Sequence, residues 1–81
     1  MGDIHYRIKA YANAIAAYEQ SLQLVPENPE VLNNLAWLLA TTQVQALRDP
    51  EEAIALAKSA TEADPEHADY KSTLAAAYAA T

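Results

Sequence analysis

The sequence has no cysteine, no phenylalanine and a single glycine, Gly2. Without cysteine there is no disulfide framework, no thiolate metal ligand and no thiol nucleophile. That leaves the redox compartment open, with a reducing, cytoplasmic interior as the expectation. A lone glycine excludes a phosphate-cradling loop and the dinucleotide fingerprint, which need several glycines for the backbone to approach a phosphate. Positive charge is also scarce. Five basic residues stand against eleven acidic ones, for a formal net charge of −6, so phosphate backbones and anionic lipid are repelled and neither nucleic acid nor a membrane is an expected partner. Long apolar runs are missing as well. The longest charge-free stretch, residues 31–47, is interrupted by Asn33, Asn34, Thr41, Thr42, Gln43 and Gln45 and does not read as a membrane span. The opening Met1-Gly2-Asp3-Ile4 shows neither the basic nor the apolar region of a secretory signal.

Site chemistry is equally sparse. The two histidines, His5 and His67, lie far apart, and neither has a metal-ligating partner three or four residues away on one helical face; Asp64 precedes His67 by three, but Pro65 intervenes. Ser21, Ser59 and Ser72 sit in alanine-rich helical context with no histidine nearby. The pair Glu51-Glu52 points in directions about 100° apart on a helix, and its place in a first turn is what the helix dipole favours, so capping accounts for it better than acid–base work. No catalytic residue, metal or cofactor is expected.

What is present is helical. Of the 42 residues that make up the 52% apolar fraction, 19 are alanine, which bury little area each but have the best helix propensity and permit close helix approach. Four prolines, at positions 26, 29, 50 and 65, fall between apolar-periodic segments. An all-α chain punctuated by proline follows. Asn28-Pro29-Glu30 places a capping residue before proline at a helix's first position, and Val31, Leu32, Leu35, Leu38 and Leu39 then keep 3.6 spacing over about 29–41. Asp49-Pro50-Glu51-Glu52 repeats the arrangement, with a capping-box glutamate three residues after the cap, and opens a helix over about 50–63. Tyr70, Leu74 and Tyr78 mark a third helix, ending near residue 80. Upstream, Tyr11, Ile15, Tyr18, Leu22 and Leu24 form an apolar stripe that ends before Pro26. The connection after residue 41 has neither glycine nor a dense polar cluster, so an ordered loop with a helical turn is expected there.

The chain also repeats itself. Ala14-Ile15-Ala16 leading to Pro26-Glu27 returns 39 residues later as Ala53-Ile54-Ala55 leading to Pro65-Glu66, and Leu35-Ala36 returns as Leu74-Ala75. Such units do not bury their apolar faces alone and must stack on neighbours. The phrase from Tyr11 through Tyr18, Pro26 and Glu30 resembles the second helix and linker of a tetratricopeptide repeat (TPR). Small residues stand where that family packs helices closely, at Ala14, Ser21, Ala36, Ala53, Ala60 and Ala75, and Pro26 and Pro65 match its inter-repeat proline. The family's usual period is about 34, which makes this chain's repeat five residues longer. The resemblance implies antiparallel helix-turn-helix repeats, a fragment of a right-handed α-solenoid: a partial repeat over 2–28, a whole repeat over 29–67 with a longer loop at 42–49, and the first helix of a further repeat over 68–81. Lys9 stands where the family prefers a turn glycine, and residues 3–24 contain neither glycine nor proline, so the two helices of the partial repeat are expected to fuse.

In this family the first helices line a groove that holds a peptide or partner protein. By position, the resemblance nominates Asp3, Tyr6 and Arg7 from the partial repeat, Asn33, Asn34, Trp37 and Thr41 from the whole repeat, and Asp69, Ser72, Thr73 and Ala76 from the last helix. Asparagine both donates and accepts hydrogen bonds along a peptide backbone, and tryptophan is a large anchor with one donor. Trp37 is the first choice, and the competing account makes it the largest residue of the core stripe. Asn34 matches one member of the cluster with which some relatives clamp a C-terminal carboxylate, but Asp69 and Thr73 stand where that clamp needs basic residues. A second function class is structural. Tyr70, Leu74 and Tyr78 are expected to form a face through which two copies pair, end to end or by exchanging helices. A third makes the segment an accessory region of a larger enzyme.

Overall fold

A computed structural model describes the backbone of residues 2–42 and 44–81 and the side chains of residues 8–42 and 44–81. Four helices follow one another: α1 (Gly2–Leu24), α2 (Pro29–Thr41), α3 (Pro50–Ala63) and α4 (Ala68–Ala79), with a 3-10 turn at Gln45–Leu47 before α3. Among the described residues there is no strand, and no helix is long and apolar enough to cross a membrane.

The caps act as the sequence indicates, with one difference. Asn28 Oδ1 accepts from the backbone N–H groups of Glu30 (3.1 Å) and Val31 (3.3 Å), and Pro29 occupies the first turn of α2, where a missing N–H costs nothing. Asp49 Oδ1 accepts from Glu52 N–H at 3.2 Å, which is half of a capping box. The other half is not made. The Asp49 N–H donates instead to the Leu39 carbonyl at 3.1 Å, fastening the start of α3 to the last turn of α2. The extra residues between these helices form the ordered connection expected: Thr42 Oγ1 accepts from Val44 N–H, and Leu47 N–H and Arg48 N–H donate to Val44 and Gln45. Gln43 lies outside the described residues.

α1 runs unbroken through Lys9, and no residue in the chain has a positive φ among those described. The fusion expected from the absent glycine is therefore present. Of the stripe assigned to α1, Ile15, Tyr18 and Leu22 pack against the core, whereas Leu24 is exposed because it stands two positions from Leu22, on the opposite side of the helix.

The core is built on alanine. Ala36, Ala53, Ala57, Ala60 and Ala77 are fully buried, with Leu35, Leu39 and Ala40 beside them. A second cluster joins Leu32, Ala60 and Tyr70 at the other end. Leu32, at the start of α2, meets Ala60 near the end of α3, and Leu39 near the end of α2 bonds Asp49 at the start of α3, so these helices are antiparallel. Tyr70 near Ala60 and Ala77 near Ala53 and Ala57 set α4 antiparallel to α3 and parallel to α2. A methyl group at each buried position of α3 allows α2 and α4 to approach from either side, while the leucines each contribute about 1.5–3 kcal/mol by burial.

Candidate functional site

α1, α2 and α4 together wall a groove of about 610 Å³. Tyr11, Ala14 and Tyr18 form one side, Asn33, Asn34, Trp37 and Leu38 the floor, and Asp69, Ser72 and Thr73 the other side. The α2 contribution follows from helix geometry, since positions 33, 34 and 37 share a face that is offset from the buried Leu32, Leu35 and Leu39. Trp37 is 50% exposed, so it is a groove residue and not the centre of the core.

Six of the eleven groove positions nominated by the resemblance meet here: Asn33, Asn34, Trp37, Asp69, Ser72 and Thr73. Ala76 is not among the lining residues. Thr41 does not line the groove; its hydroxyl donates to the Trp37 carbonyl one turn back at 2.6 Å. Tyr6 and Arg7 lie on α1, but their side chains, like that of Asp3, are outside the described residues. Tyr11, Ala14, Tyr18 and Leu38 also line the groove and are not among the positions nominated by the resemblance. The tyrosines were assigned to the core stripe, yet Tyr11 is exposed and only Tyr18 is partly covered. Because α1 does not turn at Lys9, its first half does not fold back over this face, and the missing glycine was the available signal.

Two polar groups define the groove's hydrogen bonding. Asn33 Oδ1 is buried and has no hydrogen-bond partner; an unsatisfied group of this kind costs on the order of 1–3 kcal/mol. Thr73 is buried and its hydroxyl donates to the Asp69 carbonyl at 3.0 Å, which leaves its oxygen able only to accept. Asn34 and Ser72 are exposed and unoccupied by any side-chain bond among those described. The wall is thus mainly aromatic and amide, with one carboxylate, Asp69, and no cation among the described residues.

The proposed self-association face is not assembled. Tyr70 is buried, with its ring stacked on His67 at 3.9 Å between centroids, and Leu74 packs against the alanine core; Tyr78 alone of the three stands out, with the Lys58 ammonium 5.8 Å from its ring centroid. Leu74 is partly buried against that cluster. Burial pushes the Tyr70 phenol above its ordinary pKa, and the carboxylates of Glu30, Asp64 and Asp69 push the same way. Among the described residues no cluster of histidine and carboxylate has the makings of a metal site.

Comparison with known proteins agrees with this architecture. A family model described as TPR repeat matches residues 2–42. The TPR repeat-containing thioredoxin TTL4 of Arabidopsis thaliana is 36% identical over 77 residues, which is 95% of this chain and 11% of that relative. The chain thus spans about a tenth of the length of the curated relative it matches. No solved structure gives a significant match. Repeats of this kind generally mediate protein–protein interaction and are generally not catalytic. A repeated helix pair, an inter-repeat proline, an alanine-packed core and the family match lead to one conclusion: the chain belongs to the tetratricopeptide repeat family.

Proposed function

We propose that this chain is a protein-interaction module that holds a segment of a partner protein in the groove between α1, α2 and α4. The observation that carries this is Trp37. It is the largest side chain in the molecule, it stands half exposed in the middle of α2, and exposed Asn34 and Ser72 flank it with free hydrogen-bonding groups. Aromatic anchors ringed by amides suit a peptide, whose side chains fill the apolar part while its backbone pairs with the amides. A small-molecule substrate is less suited, since the groove is open and its described residues bring together no metal-ligating set and no histidine beside Ser72. The relative's name couples such repeats to a thioredoxin; this chain has no cysteine, so its contribution to any longer protein of that plan is docking and not thiol chemistry.

Display of a random decapeptide library tests the proposal. Enrichment on the chain is expected, and it should collapse with Trp37→Ala and fall with Asn34→Ala, while Glu62→Ala on α3, away from the groove, leaves it intact. Enrichment that ignores Trp37→Ala would refute the groove.

A second reading, self-association, rests on exposed Tyr78 and on the uncovered α1 face at Tyr11. Sedimentation over a wide concentration range tests it, and a monomer at every concentration would exclude it.

A further inference from the structure

The groove has a polarity that general peptide binding does not require. We infer that its occupant is a cationic peptide segment, one carrying lysine or arginine within a turn or so of an apolar or aromatic anchor; this rests on the groove being the docking site. Three observations converge on it. Asp69 is the only charged residue of the described lining, and no lysine, arginine or histidine is among the described residues of the wall. Glu30 lies three and four positions before Asn33 and Asn34 and seven before Trp37, on the same face of α2. Because α2 and α4 run parallel, Glu30 and Asp69, each in the first turn of its helix, lie at the same end of the groove. The Tyr70 phenol, whose pKa burial raises, is pushed the same way by Glu30, Asp64 and Asp69.

The helix dipoles oppose this field without cancelling it. Each N-terminus carries about half a positive charge, whereas each first-turn carboxylate carries a full negative one. The net charge of −6 extends the same sign over the molecule and speeds encounter with a basic partner. The rings of Tyr11 and Trp37 line the same groove as Asp69, and an ammonium or guanidinium over an aromatic face is held by the ring quadrupole. The described lining thus combines one carboxylate, amide and hydroxyl groups and aromatic rings, beside apolar Ala14 and Leu38.

The test uses the 81-residue chain and the random decapeptide library, read at low and at 300 mM salt. The expected result is an enriched pool with net positive charge. In single enriched peptides, lysine→glutamine should weaken binding by about threefold to tenfold, followed by Trp37 fluorescence, with the difference shrinking at high salt. On the protein, Asp69→Asn should remove most of that lysine preference while leaving helical content unchanged by circular dichroism. A neutral or acidic pool that still depends on Trp37 would overturn the charge inference and leave the groove standing. Enrichment independent of Trp37 would overturn both. If a second copy fills the groove, the chain will sediment as a dimer that Trp37→Ala dissociates, and the inference fails in that case as well.

Discussion

Ala57→Leu should splay the helices that shape the groove. Ala57 is fully buried on α3, in the cluster that holds Leu35 and Leu39 of α2 and Ala77 of α4. Three added carbon atoms have no space there, and over-packing of this kind costs about 1–3 kcal/mol. For 81 residues the total stability is about 4–12 kcal/mol, and a core this rich in alanine belongs to the lower part of that range. At about 4–8 °C per kcal/mol, the melting temperature should fall by about 4–24 °C. Ala55→Leu is the matched control: the same change on the same helix at an exposed position, expected to shift stability by no more than about 0.5 kcal/mol. Thermal and urea unfolding followed by circular dichroism at 222 nm measure both. Because α2 and α4 reach the groove by packing on this alanine face, Ala57→Leu should also change the emission of the only tryptophan, whereas Ala55→Leu should not. Equal melting temperatures for the two variants would show that close approach through alanine does not hold the fold together.

Four further outcomes are expected. Asn28→Ala removes the acceptor for two N–H groups of α2 and should cost about 0.5–2 kcal/mol, with Asp49→Ala in the same range, both measured by urea unfolding. The raised pKa of Tyr70 makes the folded state keep a proton that the unfolded chain has lost, so stability is complete below the ordinary tyrosine range and declines as pH rises through it; Tyr70→Phe should flatten that alkaline decline. Amide hydrogens of residues 9–13 should exchange faster than those of α2 and α3, since that stretch of α1 is exposed while the partner helices are buried along one face. Leu24→Gln should leave the melting temperature within a few degrees of the parent, because that side chain is 85% exposed despite its place in an apolar run.

The helices were legible because their signals are local. Asn28-Pro29 and Asp49-Pro50 each combine a side-chain acceptor with a residue that needs no donor, and both open a helix where the sequence places it. The small-residue positions located part of the close-packed faces: Ala36, Ala53 and Ala60 are fully buried, whereas Ala75 is exposed. What was not legible depended on where the chain goes next. Tyr11 and Tyr18 have the spacing of core residues, and whether they are covered turns on whether α1 bends at Lys9, a choice made by one absent glycine. Leu74 has the look of an end-face residue, but it packs, partly buried, against the alanine-rich core cluster. The unmade half of the capping box belongs to the same class, since the Asp49 N–H is taken by a carbonyl ten positions earlier. For the groove, the resemblance nominates the α2 and α4 residues apart from Leu38, and the α1 wall was not legible because it is a tertiary consequence of the fused helix.

The most direct test of the central claim is a map of backbone amide chemical shifts in the labelled chain as an enriched cationic peptide is added. Groove binding should move the amides around Asn33, Asn34 and Trp37 on α2, Asp69 and Ser72 on α4, and Tyr11 on α1, together with the Trp37 indole N–H, and leave residues 58–62 of α3 in place. Shifts centred on α3, or spread evenly over the chain with the indole unmoved, would contradict it.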